Sequence, residues 1–125
     1  MSIERFLVSV VDDDESVRES LPDWLRLMGY AAEAFSSAED FLGSPVVAQT
    51  KCLILDIAMP GMSGPELQQE LKRLHHHIPI VFITGQFDET VRLPLLAEGA
   101  IECLAKPLDE EARVAALEAA LPTRS

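Results

Sequence analysis

The stretch FLVSVVDDDES, Phe6 to Ser16, runs from an apolar strand candidate straight into four consecutive acids, Asp12 to Glu15. Two carboxylates about 4 Å apart repel by roughly 4 kcal/mol at the effective dielectric of a protein surface. A strand leaving a core has no reason to end this way unless the acids hold something. The run before them is near-continuously hydrophobic, the pattern of a strand covered on both faces.

Four more apolar, β-rich runs follow: AAEAF (Ala31 to Phe35), CLILDI (Cys52 to Ile57), IVFIT (Ile80 to Thr84) and ECLA (Glu102 to Ala105). The third and fourth strands are again almost wholly apolar, and Val81 and Ile83 add β-branched stiffness. Helix candidates with readable ends lie between the runs. Asp14 can cap a helix to Met28, stopped by Gly29, and Ser36 or Ser37 starts a short one ending at Gly43. Ser63 precedes a helix containing Glu66 to Leu74, with Pro65 in its first turn. Asp88 opens a helix ending at Gly99, and Asp109 caps the last, to about Leu121. This alternation predicts a parallel sheet with right-handed crossovers and helices on both faces. Pro22 and Pro94 fall inside predicted helices, where each removes a hydrogen bond at a cost of ~3 kcal/mol, so kinks are expected. Pro122 to Ser125 reads as a short tail.

At 125 residues, 48% hydrophobic and 25% charged, the chain fits a single globular domain over residues 1–125. Ten Lys plus Arg against 21 Asp plus Glu leave a net charge of -11. Such a surface repels phosphate backbones, so direct nucleic-acid binding is not expected. Cys52 and Cys103 lie in apolar runs without metal-ligand spacing and read as buried free thiols. On the third and fifth strands they are too far apart for a disulfide. No basic leader precedes an apolar segment, and no run approaches membrane-span length. A cytoplasmic protein without a membrane partner is expected.

In an open parallel sheet, ligands bind outside the carboxyl ends of the strands, where the strand order switches. Those ends carry Asp12 and Asp13 on the first strand, Asp56 on the third, Thr84 on the fourth and Lys106 on the fifth. The second strand, ending at Phe35-Ser36, carries nothing titratable; in the order 2-1-3-4-5 it is the edge. Three carboxylates in one pocket need a hard cation, and Mg2+ takes one or two carboxylates, waters and a phosphate oxygen. A carboxylate is also a nucleophile toward phosphorus, giving an aspartyl phosphate. The metal, the lysine and the threonine hydroxyl can each then meet a phosphoryl oxygen.

Taken singly these residues are weak signals. Acids after a strand commonly cap the next helix, a strand-end Thr is commonly a turn residue, and a Lys before Pro is commonly solvated. Their coincidence on four strand ends favours chemistry. His75, His76 and His77 read as a solvated helix-to-strand connection, because consecutive residues rarely converge on one ion. Met59 and Met62 read as packing on the loop after Asp56.

Together these residues resemble the receiver domain of two-component response regulators. The likeness rests on VVDDDESVRESL, SSAEDFL, LILDIAMPGMSGPEL, PIVFITG and GAIECLAKP, in the family's order over essentially the whole chain. SAEDFL and ITG are similar to the FixJ-type subgroup, whose members usually carry a C-terminal helix-turn-helix for transcription regulation. The resemblance implies a flavodoxin-like doubly wound five-stranded parallel sheet, order 2-1-3-4-5, with helices on both faces. It implies Asp56 as phosphoacceptor, and Mg2+ held by Asp13, Asp56 and the backbone carbonyl of Ala58, with Asp12 acting through water. Thr84 would be the switch hydroxyl and Lys106 the phosphoryl-contacting lysine, followed by a cis peptide before Pro107. Cys103 stands where the family usually has a switch aromatic, and Ala58 and Gln86 where it tunes dephosphorylation.

The implied donor is a phosphohistidine on a sensor histidine kinase or histidine phosphotransfer protein, with an output domain or a receiver homodimer as further partners. The implied role is a phosphoacceptor that takes part in its own phosphorylation and dephosphorylation, not an enzyme in the usual sense. Three other readings use the same residues. A small haloacid-dehalogenase-like phosphatase would use Asp12 and Asp14 but leaves Asp56 unexplained. A flavodoxin-like flavin binder needs a Ser/Thr/Gly phosphate loop where DDDES stands. A receiver-shaped interaction module would need no phosphate.

Overall fold

Each apolar run becomes a strand in the computed structural model of the chain, which describes residues 5–121; the expected tail, Pro122 to Ser125, lies outside them. The strands are β1 Leu7–Val11, β2 Ala31–Phe35, β3 Thr50–Asp56, β4 Ile80–Thr84 and β5 Glu102–Ala105. All pair in parallel, in the order β2-β1-β3-β4-β5.

Successive side chains of a strand point to opposite faces, and each face of the sheet builds its own core. Val8, Val10, Ile54 and Ile83 pack with Leu25 of α1 (Glu15–Leu27) and Leu117 of α5 (Glu110–Ala120). On the other face Val11, Leu55 and Phe82 meet α2 (Ala38–Leu42), α3 (Gly64–Arg73) and α4 (Glu89–Ala97) through Phe41, Leu67 and Leu95. The central strands are therefore covered on both sides, which is why their sequences are almost wholly apolar. Cys52 and Cys103 are free and buried, and they belong to opposite faces as well as to strands two apart.

The helix ends follow local chemistry. Asp14, Ser37, Asp88 and Asp109 each accept a hydrogen bond from a backbone N–H of the first turn they precede, and Ser63 and Glu66 form a reciprocal capping box. Gly29 ends α1 at φ 96, and His75 makes the corresponding left-handed turn after α3 at φ 62. His75 N donates to Lys72 O at 3.0 Å and His76 N to Leu71 O at 2.9 Å, which satisfies two terminal carbonyls of α3. The histidine run is thus a helix stop.

One local feature departs from the sequence reading. A 3-10 turn over Pro45–Gln49 precedes β3, started by Ser44, which accepts from Val46 N at 3.2 Å. Pro22 and Pro94 lie inside α1 and α4, where the sequence places them, and Pro22 is one of the residues α1 buries.

Candidate functional site

The backbone ladder continues one residue past several strands. Asp12 N donates to Phe35 O at 3.1 Å, Ile57 N to Ile83 O at 3.1 Å and Lys106 N to Thr84 O at 2.8 Å. Asp12, Asp56 and Lys106 are therefore fixed at the carboxyl ends of β1, β3 and β5 by main-chain bonds. The carboxylates of Asp12, Asp13 and Asp56 offer oxygens that all lie within 4.8 Å of one another, the one such cluster of potential metal ligands among the described residues. Asp12 is fully buried and Asp56 is 5% exposed, whereas Asp13 faces solvent.

Lys106 Nζ lies 2.8 Å from Asp12 Oδ2 and 3.4 Å from Asp56 Oδ1. Its approach to Oδ2 is close but poorly directed, so this buried oxygen has a charge partner and no hydrogen bond. The other Asp12 oxygen accepts from Asp14 N at 2.9 Å, and Arg18 Nη1 donates to the Asp12 carbonyl at 3.0 Å. The four opening acids thus separate. Asp12 and Asp13 line the crevice. Asp14 caps α1, and the Ser16 hydroxyl and amide hold its carboxyl below the usual range. Glu15 sits in the first turn of α1, where the helix dipole favours an acid. The Asp12–Asp14 pair that a dehalogenase-like phosphatase would need is therefore divided between crevice and cap.

Thr84, 7% exposed, accepts from Gln86 N at 3.1 Å through Oγ1, which leaves the hydroxyl its own proton to donate. Ala58 lies exposed on the loop of residues 57–63, and Glu39 of α2 accepts from Met62 N in that loop at 3.0 Å. The Lys106–Pro107 peptide is cis. Cys103 is buried on β5 beside Phe82 of β4, and burial, together with the Glu102 carboxylate, raises its thiol above the ordinary range.

Three carboxylates and one ammonium leave the crevice two positive charges short. Burial first, then the neighbouring Asp12, pushes the Asp56 carboxyl up from its ordinary 3.8 to about 6, against the pull of Lys106. Burial works against the charge on Lys106, yet Asp12 and Asp56 outweigh it and raise that group. A basic carboxylate beside an ammonium and a hydroxyl is a setting for a phosphoryl group and a divalent cation.

A doubly wound sheet with an acidic crevice at its switch point defines a class of proteins that bind phosphate and metal at strand ends. Within that class the chain belongs to the response regulator receiver domain family, which residues 8–118 match. Phosphorylation at an aspartate and signal switching are that family's function. The chain is 42% identical over 114 residues to nodulation protein W of Bradyrhizobium diazoefficiens, covering 91% of this chain and 50% of that protein. It is 38% identical over 118 residues to the transcriptional regulatory protein FixJ of Azorhizobium caulinodans, covering 94% and 56%. The solved structure of response regulator StyR shares the fold with a TM-score of 0.84 and 47% identity, over 92% of this chain and 58% of that one. These relatives make it a FixJ-type receiver. The chain spans about half the length of the relatives it matches.

Receiver domains bind Mg2+ at an acidic pocket, and this crevice fits that ion. Its donors are hard oxygens, it is two positive charges short, and the buried Asp12 Oδ2 lacks a hydrogen bond. None of the described helices is long and apolar enough to cross a membrane. Sequence reasoning missed Arg18 and Glu39, both of which touch backbone next to the crevice. Glu39 reads as an ordinary acid in a helix's first turn, and nothing local links it to a residue 23 positions on.

Proposed function

We propose that Asp56 accepts a phosphoryl group from a phosphohistidine on a sensor histidine kinase or histidine phosphotransfer protein, with residues 1–125 acting as one switching unit. An Asp56 carboxylate oxygen forms the new P–O bond as the N–P bond of the donor breaks; the imidazole keeps the electron pair and takes up a proton. Asp13, Asp56 and the Ala58 carbonyl would hold Mg2+ directly, and Asp12 through water. When bound, the ion offsets the charge on the phosphoryl oxygens. Lys106 gives a further oxygen its ammonium, and Thr84 donates its hydroxyl to another.

Thr84 then carries the switch, drawing residues 85–88 toward the phosphoryl group. Cys103 follows less than an aromatic ring would, because a thiol makes far fewer packing contacts. The relatives named as transcriptional regulators support an output domain or a second receiver as the reader of that change.

The single observation that carries the reading is the position of Asp56: 5% exposed, within a cluster of three carboxylates, with Lys106 Nζ at 3.4 Å. Intact mass after incubation with acetyl phosphate tests it. One added phosphoryl group is expected with Mg2+, none without it, and none on Asp56→Asn. Labelling of the Asn variant at the wild-type level would sink the assignment.

A further inference from the structure

We propose that Glu39 is a positioning residue for the metal side of the crevice, acting through the loop that carries the Ala58 carbonyl; this rests on the reading of the crevice given above. The loop leaves β3 directly after Asp56 and turns at once into α3. Its ends are tied down. Ile57 N donates to Ile83 O at 3.1 Å, Gly64 N to Ile57 O at 2.9 Å, and Ser63 N to Glu66 Oε1 at 2.9 Å. Between those ends, Met62 N donates to Glu39 Oε2 at 3.0 Å. Among the described residues no other hydrogen bond ties residues 58–62 to another element.

The carboxylate lies against the loop's backbone. Gly61 sits at φ 74, a conformation that residues with a side chain rarely adopt, and a Cβ placed there would be 2.6 Å from Glu39 Oε2. On the inner side Met59 is buried and Met62 packs against the same core. The loop is therefore gripped from two directions, by apolar packing below and by Glu39 above.

Glu39 is itself firmly mounted. It projects from the first turn of α2, whose Ala38 and Phe41 are fully buried and whose cap, Ser37, accepts from Asp40 N at 3.0 Å. Removing contacts that orient a metal ligand from outside typically weakens the metal 10–100-fold. The Glu39–Met62 bond is exposed, so water can replace the carboxylate as acceptor and the fold loses little. Metal affinity and stability should therefore separate.

The test titrates Mg2+ alone into the full chain by calorimetry, beside amide exchange at Met62 in the metal-free protein and a thermal midpoint. Glu39→Ala is expected to bind Mg2+ about tenfold more weakly and to exchange the Met62 amide faster, with the midpoint unchanged. Glu39→Gln keeps an acceptor oxygen without the charge and is expected to stay within about threefold of wild type. Wild-type Mg2+ affinity in Glu39→Ala overturns the proposal alone. So does Glu39→Gln falling as far as Glu39→Ala, which would assign the effect to charge. A wild-type chain that takes up no Mg2+ overturns both this inference and the reading of the crevice beneath it.

Discussion

At the carboxyl ends of β1, β3 and β5 two aspartates, Asp12 and Asp56, share one lysine, and between α4 and β5 two glutamates share one arginine. Arg92 Nε donates to Glu102 Oε1 at 2.8 Å, Nη2 to Glu102 Oε2 at 3.4 Å and Nη1 to Glu89 Oε2 at 3.2 Å. Glu102 Oε1 also accepts from Cys103 N at 2.9 Å. The guanidinium fork satisfies both oxygens of Glu102, and the Arg92 hydrogen bond holds its carboxyl below the usual range. In the crevice the direction is opposite, with Asp56 driven up by burial and by Asp12. Geometry and burial separate the two clusters. The α4–β5 acids are paired and partly solvated, so they fasten an element. In the crevice Asp12 and Asp56 are buried around a single poorly directed ammonium, with Asp13 at its open side, so the acids are left in want of a cation.

The largest expected effect comes from removing that ammonium. Lys106→Met leaves Asp12 and Asp56 without the cation between them, and metal-free stability at pH 7 should fall by about 3 kcal/mol. Saturating Mg2+ should restore most of the loss. A urea midpoint equal to wild type without metal would mean the crevice is not short of positive charge.

Asp56→Asn should act the other way. The folded chain binds the Asp56 proton more tightly than the unfolded chain does, so wild-type stability falls as pH rises from 3.8 through about 6. Asn does not titrate. Without metal it should be the more stable variant at pH 7, by on the order of 2 kcal/mol, with the gap closing below pH 4. Unfolding curves at several pH values between these limits read the difference. Equal stabilities at pH 7 would erase the contrast between the two clusters.

The smallest effect belongs to the satisfied cluster. Arg92→Ala should destabilise less than Lys106→Met does, and by less still in high salt. The pH slope has the opposite sign to that of Asp56. The lowered Glu102 carboxyl contributes at neutral pH, and its contribution is lost as pH falls through the lowered value. A loss from Arg92→Ala larger than that from Lys106→Met would reverse the ranking of the clusters.

The sequence made the strand ends legible because a parallel strand covered on both faces is an unbroken apolar run, and its first polar residue marks the crevice. Asp12, Asp56 and Thr84 stand out for that reason, and Lys106 by its matching place after the edge strand β5. Caps were equally readable, since Asp14, Ser37, Ser63, Asp88 and Asp109 act on residues two or three positions ahead. The turn over Pro45–Gln49 was hidden because PVVAQ has neither helical nor strand period. Contacts between elements were hidden as well. Arg92 with Glu102 and Glu39 with Met62 depend on how helices settle on the sheet, which no local spacing records. The histidine run lies in the helix-to-strand connection its sequence suggests, but its part in stopping α3 was hidden, because His75 takes a left-handed turn that sequence assigns to glycine or asparagine.

The strain on Asp56 is read most directly by titrating its side-chain carboxyl carbon by NMR in the metal-free chain, then repeating the titration with saturating Mg2+. A midpoint at about 6 is expected without metal, moving to lower pH when the ion is bound. A midpoint at or below the ordinary 3.8, unmoved by Mg2+, would contradict the claim that Asp56 waits for a cation.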